Sequence, residues 1–415
     1  LRCLAARMLF NIYLNHGDMA AANRALRALT AISQTTQDTY SALSAQGSMA
    51  YLQRLQGQLP QAFASYQQVI QMAAQKLKQL HPGVAYTGLG AILLEWNDLD
   101  GAARYLALGH EQALETGDPD RLIYSFNELS SLYRAQGEIT CAFDVLEEAE
   151  RILQKYPQDT FGNVLAARRE MIVRRVRLSL AQGDLAAAQR WAQMCEPLGD
   201  EKLTPLRFSE LALLSQIYLA IGEAQDALRL LERLLPAIGD VAHVDMRIQL
   251  LTLHALALCA RGNTKLAITT LAGALALGEP GGYVRIFVNM GPSLATLLLQ
   301  LLDVLHTKQL AALAPISAAY VRTLLAASGH HIPASPVAKY AARLPGATVA
   351  LVVALSPRER EIVQLMAQGL SDREIAQQLV LAENTVKSYA KRIYARLDVH
   401  NRTQAVIRAQ ALHLL

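Results

Sequence analysis

Seven turn signals recur along the first two-thirds of the chain: "HGDMAAA", "QGQLPQAFA", "WNDLDGAAR", "QGEITCAFD", "QGDLAAAQR", "IGEAQDALR" and "RGNTKLAIT". Their anchors are Gly17, Gly57, Asn97, Gly137, Gly183, Gly222 and Gly262, spaced 40, 40, 40, 46, 39 and 40 residues apart. Five positions after each anchor stands an alanine: Ala22, Ala62, Ala102, Ala142, Ala188, Ala227 and Ala267. Nine positions after it stands an apolar or aromatic residue: Leu26, Tyr66, Leu106, Leu146, Ala192, Leu231 and Leu271. Agreement at two offsets across seven segments is an internal repeat, and it narrows the possible folds more than any other feature.

Glycine or asparagine at the anchor supplies the left-handed backbone that ends one helix. A second helix begins a few residues later. The recurring alanine marks a place where two helices approach too closely for a larger side chain. In the fourth segment Ala142, Leu146, Ala149 and Leu153 share one helical face. Each segment therefore reads as a helical hairpin that cannot bury its apolar face alone. Stacked neighbours bury a continuous core, which makes an all-α solenoid of about seven two-helix repeats over residues 1–280. The period exceeds the roughly 34 residues of a standard tetratricopeptide repeat, so the units read as tetratricopeptide-like with longer helices. Such an array presents a long concave surface for a ligand or partner, whose binding residues the sequence leaves unknown.

Beyond the repeats, residues 281–325 read as capping helices and 326–354 as a linker of small, proline-containing composition. His330 and His331 lie in that linker without a third ligand nearby and read as solvated, so no metal site is expected. The four cysteines, Cys3, Cys141, Cys195 and Cys259, have no CxxC spacing and read as buried free thiols of a cytoplasmic protein. The longest apolar run, "ATVALVVAL", falls well short of the roughly 18 residues a membrane span needs, and no membrane association is expected. The chain opens without methionine inside a helical pattern, which reads as a fragment lacking an upstream part.

The net charge of +4 is uneven. Residues 355–415 hold nine Lys or Arg against six Asp or Glu, and the rest of the chain is nearly balanced. A local basic excess suits a module that binds a polyanion. In that segment "SPRE" places Ser356 as a helix cap, Pro357 at the first helical position and Glu359 at the closing position of a capping box. Ile362, Val363, Leu365 and Met366 give the helix an apolar side, and Gly369 ends it. "SDRE" repeats the box from Ser371 to Glu374, with Ile375, Ala376 and Leu379 as buried positions. A short turn from Val380 to Ala382 leads to a third helix over about 383–397, and Asn401 with Gln404 opens a fourth. Four short helices with a tight turn between the second and third form a helix-turn-helix unit.

The third helix has opposed faces. Val386, Ala390, Ile393 and Leu397 form its core side. Asn384, Lys387, Ser388, Lys391 and Ala395 form the other, mixing small residues that allow close approach with lysines that reach guanine edges or phosphates. Arg392 and Arg396 flank it in positions suited to backbone phosphates.

The stretch "LSPREREIVQLMAQGLSDREIAQQLVLAENTVKSYAKRIYARLDVHNRTQAV" resembles the LuxR-type helix-turn-helix domain. That resemblance implies base contacts from Lys387, Ser388 and Lys391, phosphate contacts from Thr385 and Arg392, and a dimer contact through the helix that starts at Thr403. Ala382 replaces the family's usual capping serine and Tyr389 a common histidine; loss of a cap costs roughly 0.5–2 kcal/mol without removing an outward-facing group. The repeats, "GGYVRIFVNMGP" and the C-terminal place of the domain are similar to the large MalT-like regulators, which carry an N-terminal nucleotide-binding domain. No Gly-Lys dipeptide occurs here, so no cofactor is expected in this fragment, and ATP would enter only through an upstream domain.

These readings converge on a DNA-binding transcription regulator and activator rather than an enzyme. Its expected partners are double-stranded promoter DNA, the transcription machinery, and an inducer or regulatory protein at the repeats, with a dimer or oligomer on DNA. The alternative is a repeat-based protein-interaction scaffold with secondary DNA binding.

Overall fold

A computed structural model of the chain describes residues 2–36, 39–76, 82–155, 163–195, 199, 203–238, 243–307, 314–329 and 357–379, with single positions or pairs between 386 and 409. Among the described residues there are nineteen α-helices, one 3-10 turn and no strand. The chain divides into two compact units, Leu1–Pro333 and Ala334–Leu415.

The first unit begins with consecutive hairpins. They are α1 (Arg2–Asn15) with α2 (Met19–Thr36), α3 (Thr39–Leu55) with α4 (Leu59–Lys76), α5 (Gly83–Glu95) with α6 (Leu99–Thr116), and α7 (Pro119–Gln136) with α8 (Ile139–Leu153). There follow α9 (Asn163–Ala181) with α10 (Leu185–Met194), α11 (Pro205–Ala220) with α12 (Ala224–Ala237), and α13 (Val244–Ala260) with α14 (Thr264–Gly278). Every anchor has positive φ, from 64° at Asn97, the one non-glycine, to 89° at Gly222. The amide after each anchor donates to the carbonyl five residues back, as in Asp18 to Tyr13 and Asn263 to Leu258. This is the Schellman closure of the first helix. That same residue also caps the second helix: Asp18, Asp98, Asp184 and Asn263 accept from the amide three residues on. At these four turns one residue closes one helix and opens the next, and in all seven segments the second helix starts two residues after the anchor.

The seven repeat alanines are each 0% exposed. At the second offset Leu26, Tyr66, Leu106, Leu146, Leu231 and Leu271 are buried and Ala192 is partly so. The cysteines are free, but Cys141 is exposed and the other three half-buried, contrary to the expectation of buried thiols. Cys141 is the helical neighbour of Ala142; adjacent residues point about 100° apart, so burying the alanine turns the thiol outward.

The array coils back on itself. After α14 and the 3-10 turn Glu279–Gly281 come α15 (Arg285–Val288), α16 (Pro292–Thr307) and α17 (Ala318–Ala327). Trp96 Nε1 donates to the Gly281 carbonyl at 2.8 Å, and the Arg285 guanidinium to Asn97 Oδ1 at 3.2 Å. The amides of Val284 and Ile286 donate to Glu95 Oε1 at 3.1 and 2.9 Å. These partners lie between 185 and 191 residues apart. The turn at Gly57 lies close to both Val244 and Gly281: a Cβ added there would stand 2.9 Å from Val244 Cγ1, and one added at Gly281 would stand 2.7 Å from the Gly57 carbonyl oxygen. Residues of α5, α7, α9, α13 and the returning segment line the cavities of the first unit.

Burial pushes the Glu95 carboxyl up to about 7, against its two amide donors and Arg285, which favour the anion, and with Asp245, which disfavours it. Between the unfolded value of 4.5 and about 7, the folded state holds a proton that the unfolded chain releases. Stability therefore falls as pH rises through that window and levels off above it, by at most about 3 kcal/mol. In Glu95→Gln, which keeps an acceptor for both amides, this fall should disappear from the melting temperature measured between pH 4.5 and 8. Superimposable wild-type and variant profiles would refute it.

Candidate nucleic-acid interface

In the second unit α18 (Pro357–Ala367) ends in a Schellman closure like those of the repeats. Gly369 has φ 87°, its amide donates to Met366, and that of Leu370 to Leu365. Helix α19 (Asp372–Gln378) opens with the expected capping box: Ser371 Oγ accepts from the Glu374 amide at 3.3 Å, and Glu374 Oε2 from the Ser371 amide at 2.7 Å. Ser371 holds the Glu374 carboxylate below its ordinary range. The cap of the preceding helix, Ser356, and the Glu359 side chain lie outside the described residues.

Ile362, Val363, Leu365 and Met366 from α18 meet Ile375 and Ala376 from α19 in one core. Val386, Ala390, Ile393, Ala405 and Ala409 complete it, and all five are buried. Val386, Ala390 and Ile393 are helical, as the predicted core face of the third helix requires. Leu379 is half-buried against the same cluster, as are Tyr389 and Tyr394. Lys387, next to fully buried Val386, is helical and exposed, so this lysine faces away from the core. Asn384, Thr385, Ser388, Lys391, Arg392 and Arg396 lie outside the described residues, as do Ala382, Leu397, Asn401 and Gln404.

Sequence reasoning missed the part played by Arg402. Its guanidinium donates to the carbonyls of Met366 and Leu370 and stands 3.4 Å from Asp372 Oδ1. It thus satisfies carbonyls at the end of α18 and ties the α18–α19 turn to the last helical segment. A cation at a helix C-terminus also meets the negative end of the helix dipole. Only the "NRTQA" string marked this residue, and nothing local to it indicates partners thirty or more positions away.

Fold and interface together define a helical-repeat protein that also carries a basic, capped helix-turn-helix unit. The family described as MalT-like TPR region matches residues 1–304, and that described as bacterial regulatory proteins, luxR family, matches residues 353–409. The chain belongs to the MalT-like family of helical-repeat proteins and carries a LuxR-type domain. Similar relatives include the "Probable HTH-type transcriptional regulator GfsR" of Streptomyces halstedii, 54% identical over 56 residues, which are 14% of this chain and 23% of that protein. The DNA-binding transcriptional activator DevR/DosR of Mycobacterium tuberculosis is 41% identical over 58 residues, 14% of this chain and 27% of that one. The transcriptional regulatory protein LiaR of Bacillus subtilis is 41% identical over 61 residues, 15% and 29% of the two chains. The chain thus spans about a quarter of the length of these relatives. Among the described residues no helix is long and apolar enough to cross a membrane.

Proposed function

We propose that this chain is the sensing and DNA-binding part of a cytoplasmic transcription activator, without enzymatic chemistry of its own. A small molecule or regulatory protein binds the repeat array and alters self-association or the freedom of the C-terminal unit. Two copies then place their third helices in successive major grooves, with half-sites about 10 bp apart, and the bound dimer contacts the transcription machinery. Linking two sites raises affinity through effective concentration.

The observation that carries this reading is exposed Lys387 beside buried Val386, behind the boxed helix α19. It supports an outward basic face on the third helix, to which Asn384, Thr385, Ser388, Lys391, Arg392 and Arg396 are assigned by position. The names of DevR/DosR and the other relatives favour a regulator over a scaffold.

The test is selection of bound sequences from random DNA with the whole chain, followed by affinity against salt for wild type, Lys387→Ala and Lys391→Ala. A base contact should cost about 1–3 kcal/mol and relax sequence preference; a phosphate contact should weaken all sequences alike and reduce the salt slope by about one. Equal, weak, salt-driven binding to every sequence would overturn the specific-regulator reading.

A further inference from the structure

Three guanidiniums meet inside the repeat array. Arg134 comes from α7, and Arg174 and Arg177 from α9. They line a cavity of about 210 Å³ together with Ser130, Gln216 and Gln249. A second cavity of about 140 Å³ adjoins it, sharing Glu95, Ser131, Arg134 and Asn289 and adding Arg285, Glu128 and Asp245.

The charges in the first cavity do not balance. Arg174 donates to Ser131 Oγ at 2.7 Å and the Asn127 carbonyl at 3.1 Å, and Glu170 Oε1 lies 3.2 Å from its Nε. Arg177 donates to Ser209, and Arg285 to Asn97 and Asn289. The Nε atoms of Arg177 and Arg285 are buried with no hydrogen-bond acceptor among the described residues. Arg134 pairs with no side chain among them. Glu95, the carboxylate that lines this cavity, accepts from two backbone amides. Buried Arg207, by contrast, is matched: Glu210 accepts from it at 3.1 Å, and from half-exposed Arg169 at 2.7 and 2.8 Å. Burial, then the neighbouring Arg177, Arg174 and Arg285, bring the Arg134 guanidinium down to about 9. Like charges gathered away from water are costly unless an anion joins them.

We propose that Arg134, Arg174 and Arg177 bind the phosphate group of a small phosphate monoester, whose polar remainder occupies the adjoining cavity. A phosphate dianion presents several oxygens in a tetrahedral array and meets donors arriving from different helices; a planar carboxylate satisfies one bidentate fork. The acceptors Glu128, Asp245 and Asn289 suit hydroxyl groups on the remainder. Bound there, the ligand bridges α7 and α9 beside the returning segment, so it would stabilise the coiled form of the array. The inference rests on the reading of the repeats as a sensor and names the ligand class of that sensor.

The test uses the whole chain and does not involve DNA, so it fails or succeeds independently of the selection experiment. Melting temperature and calorimetric binding are measured with inorganic phosphate, glycerol 3-phosphate or citrate at about 10 mM, against sodium chloride of equal ionic strength. Both phosphate compounds should raise the melting temperature, glycerol 3-phosphate more. Arg134→Gln should melt higher than wild type without ligand, because repulsion is relieved, and should lose the phosphate response; Arg177→Gln should weaken it. No phosphate-dependent shift in wild type would overturn the proposal. So would a shift with citrate alone, or an Arg134→Gln protein that melts lower and responds as wild type does.

Discussion

The Arg402→Ala variant is expected to loosen the C-terminal unit while leaving the repeat array intact. The guanidinium donates to two carbonyls at the end of α18 and stands beside Asp372, and an alanine leaves those groups to water or unpaired. Hydrogen bonds to a charged partner contribute about 1.5–3 kcal/mol each, less when shared, so a loss of about 2–4 kcal/mol is expected. The contact with Asp372 adds little, since both side chains are about a third exposed. A unit of this size has roughly 3–5 kcal/mol to lose, so the substitution takes most of its stability. Lysine should not restore it, because an ammonium lacks the planar fork that reaches two carbonyls. Hydrogen exchange of the amides in α18 and α19 checks this, with α13 as internal reference. Unchanged exchange in α19 would show that Arg402 is not what holds the turn.

The second large effect is at Gly109 in α6. A helix-interior glycine usually gains about 0.5–1 kcal/mol on replacement by alanine. Here the sign reverses. A Cβ on Gly109 would lie 2.3 Å from Thr87 Oγ1, 2.8 Å from the Thr87 amide nitrogen and 3.0 Å from the Gly83 carbonyl oxygen. Two of those are backbone atoms of α5, which is buried along most of its length and has nowhere to move. Gly109→Ala should therefore destabilise the array by about 1–3 kcal/mol, the usual cost of overpacking. Gly273, in α14, meets nothing within 4 Å of the same added atom, and Gly273→Ala should stabilise the array by about 0.5–1 kcal/mol. Opposite signs in denaturant midpoint are the expected result; two gains would mean that α5 and α6 can separate without cost.

Much of this architecture was legible residue by residue. The anchors from Gly17 to Gly262 state a backbone conformation that side chains rarely adopt, and the structure adopts it at each of them. The alanines five positions later state a helix contact, and every one is fully buried. The box at Ser371, the stop at Gly369 and the buried face through Val386, Ala390 and Ile393 were equally plain, because capping and helical periodicity act within a few residues. Lys387 on the outer side followed from the same periodicity. Arg402 was not legible as a brace: its partners are thirty or more positions away, and arginine is compatible with either a solvent or a bridging role.

What the sequence by itself determined is therefore local: helix ends, faces, the repeat and the basic excess of the C-terminal segment. Each arises from interactions over one or two helical turns, or from the identity of neighbouring units. Tertiary structure alone decided how far the array coils. That depends on the sum of small rotations between hairpins, which no single motif encodes, and it sets Glu95 and Trp96 against residues 185 to 191 positions later. The closure set the returning segment against α5 beside the cavities. It also brought Arg285 to the cavity where Arg134 stands, so that scattered, ordinary-looking charges became a cluster.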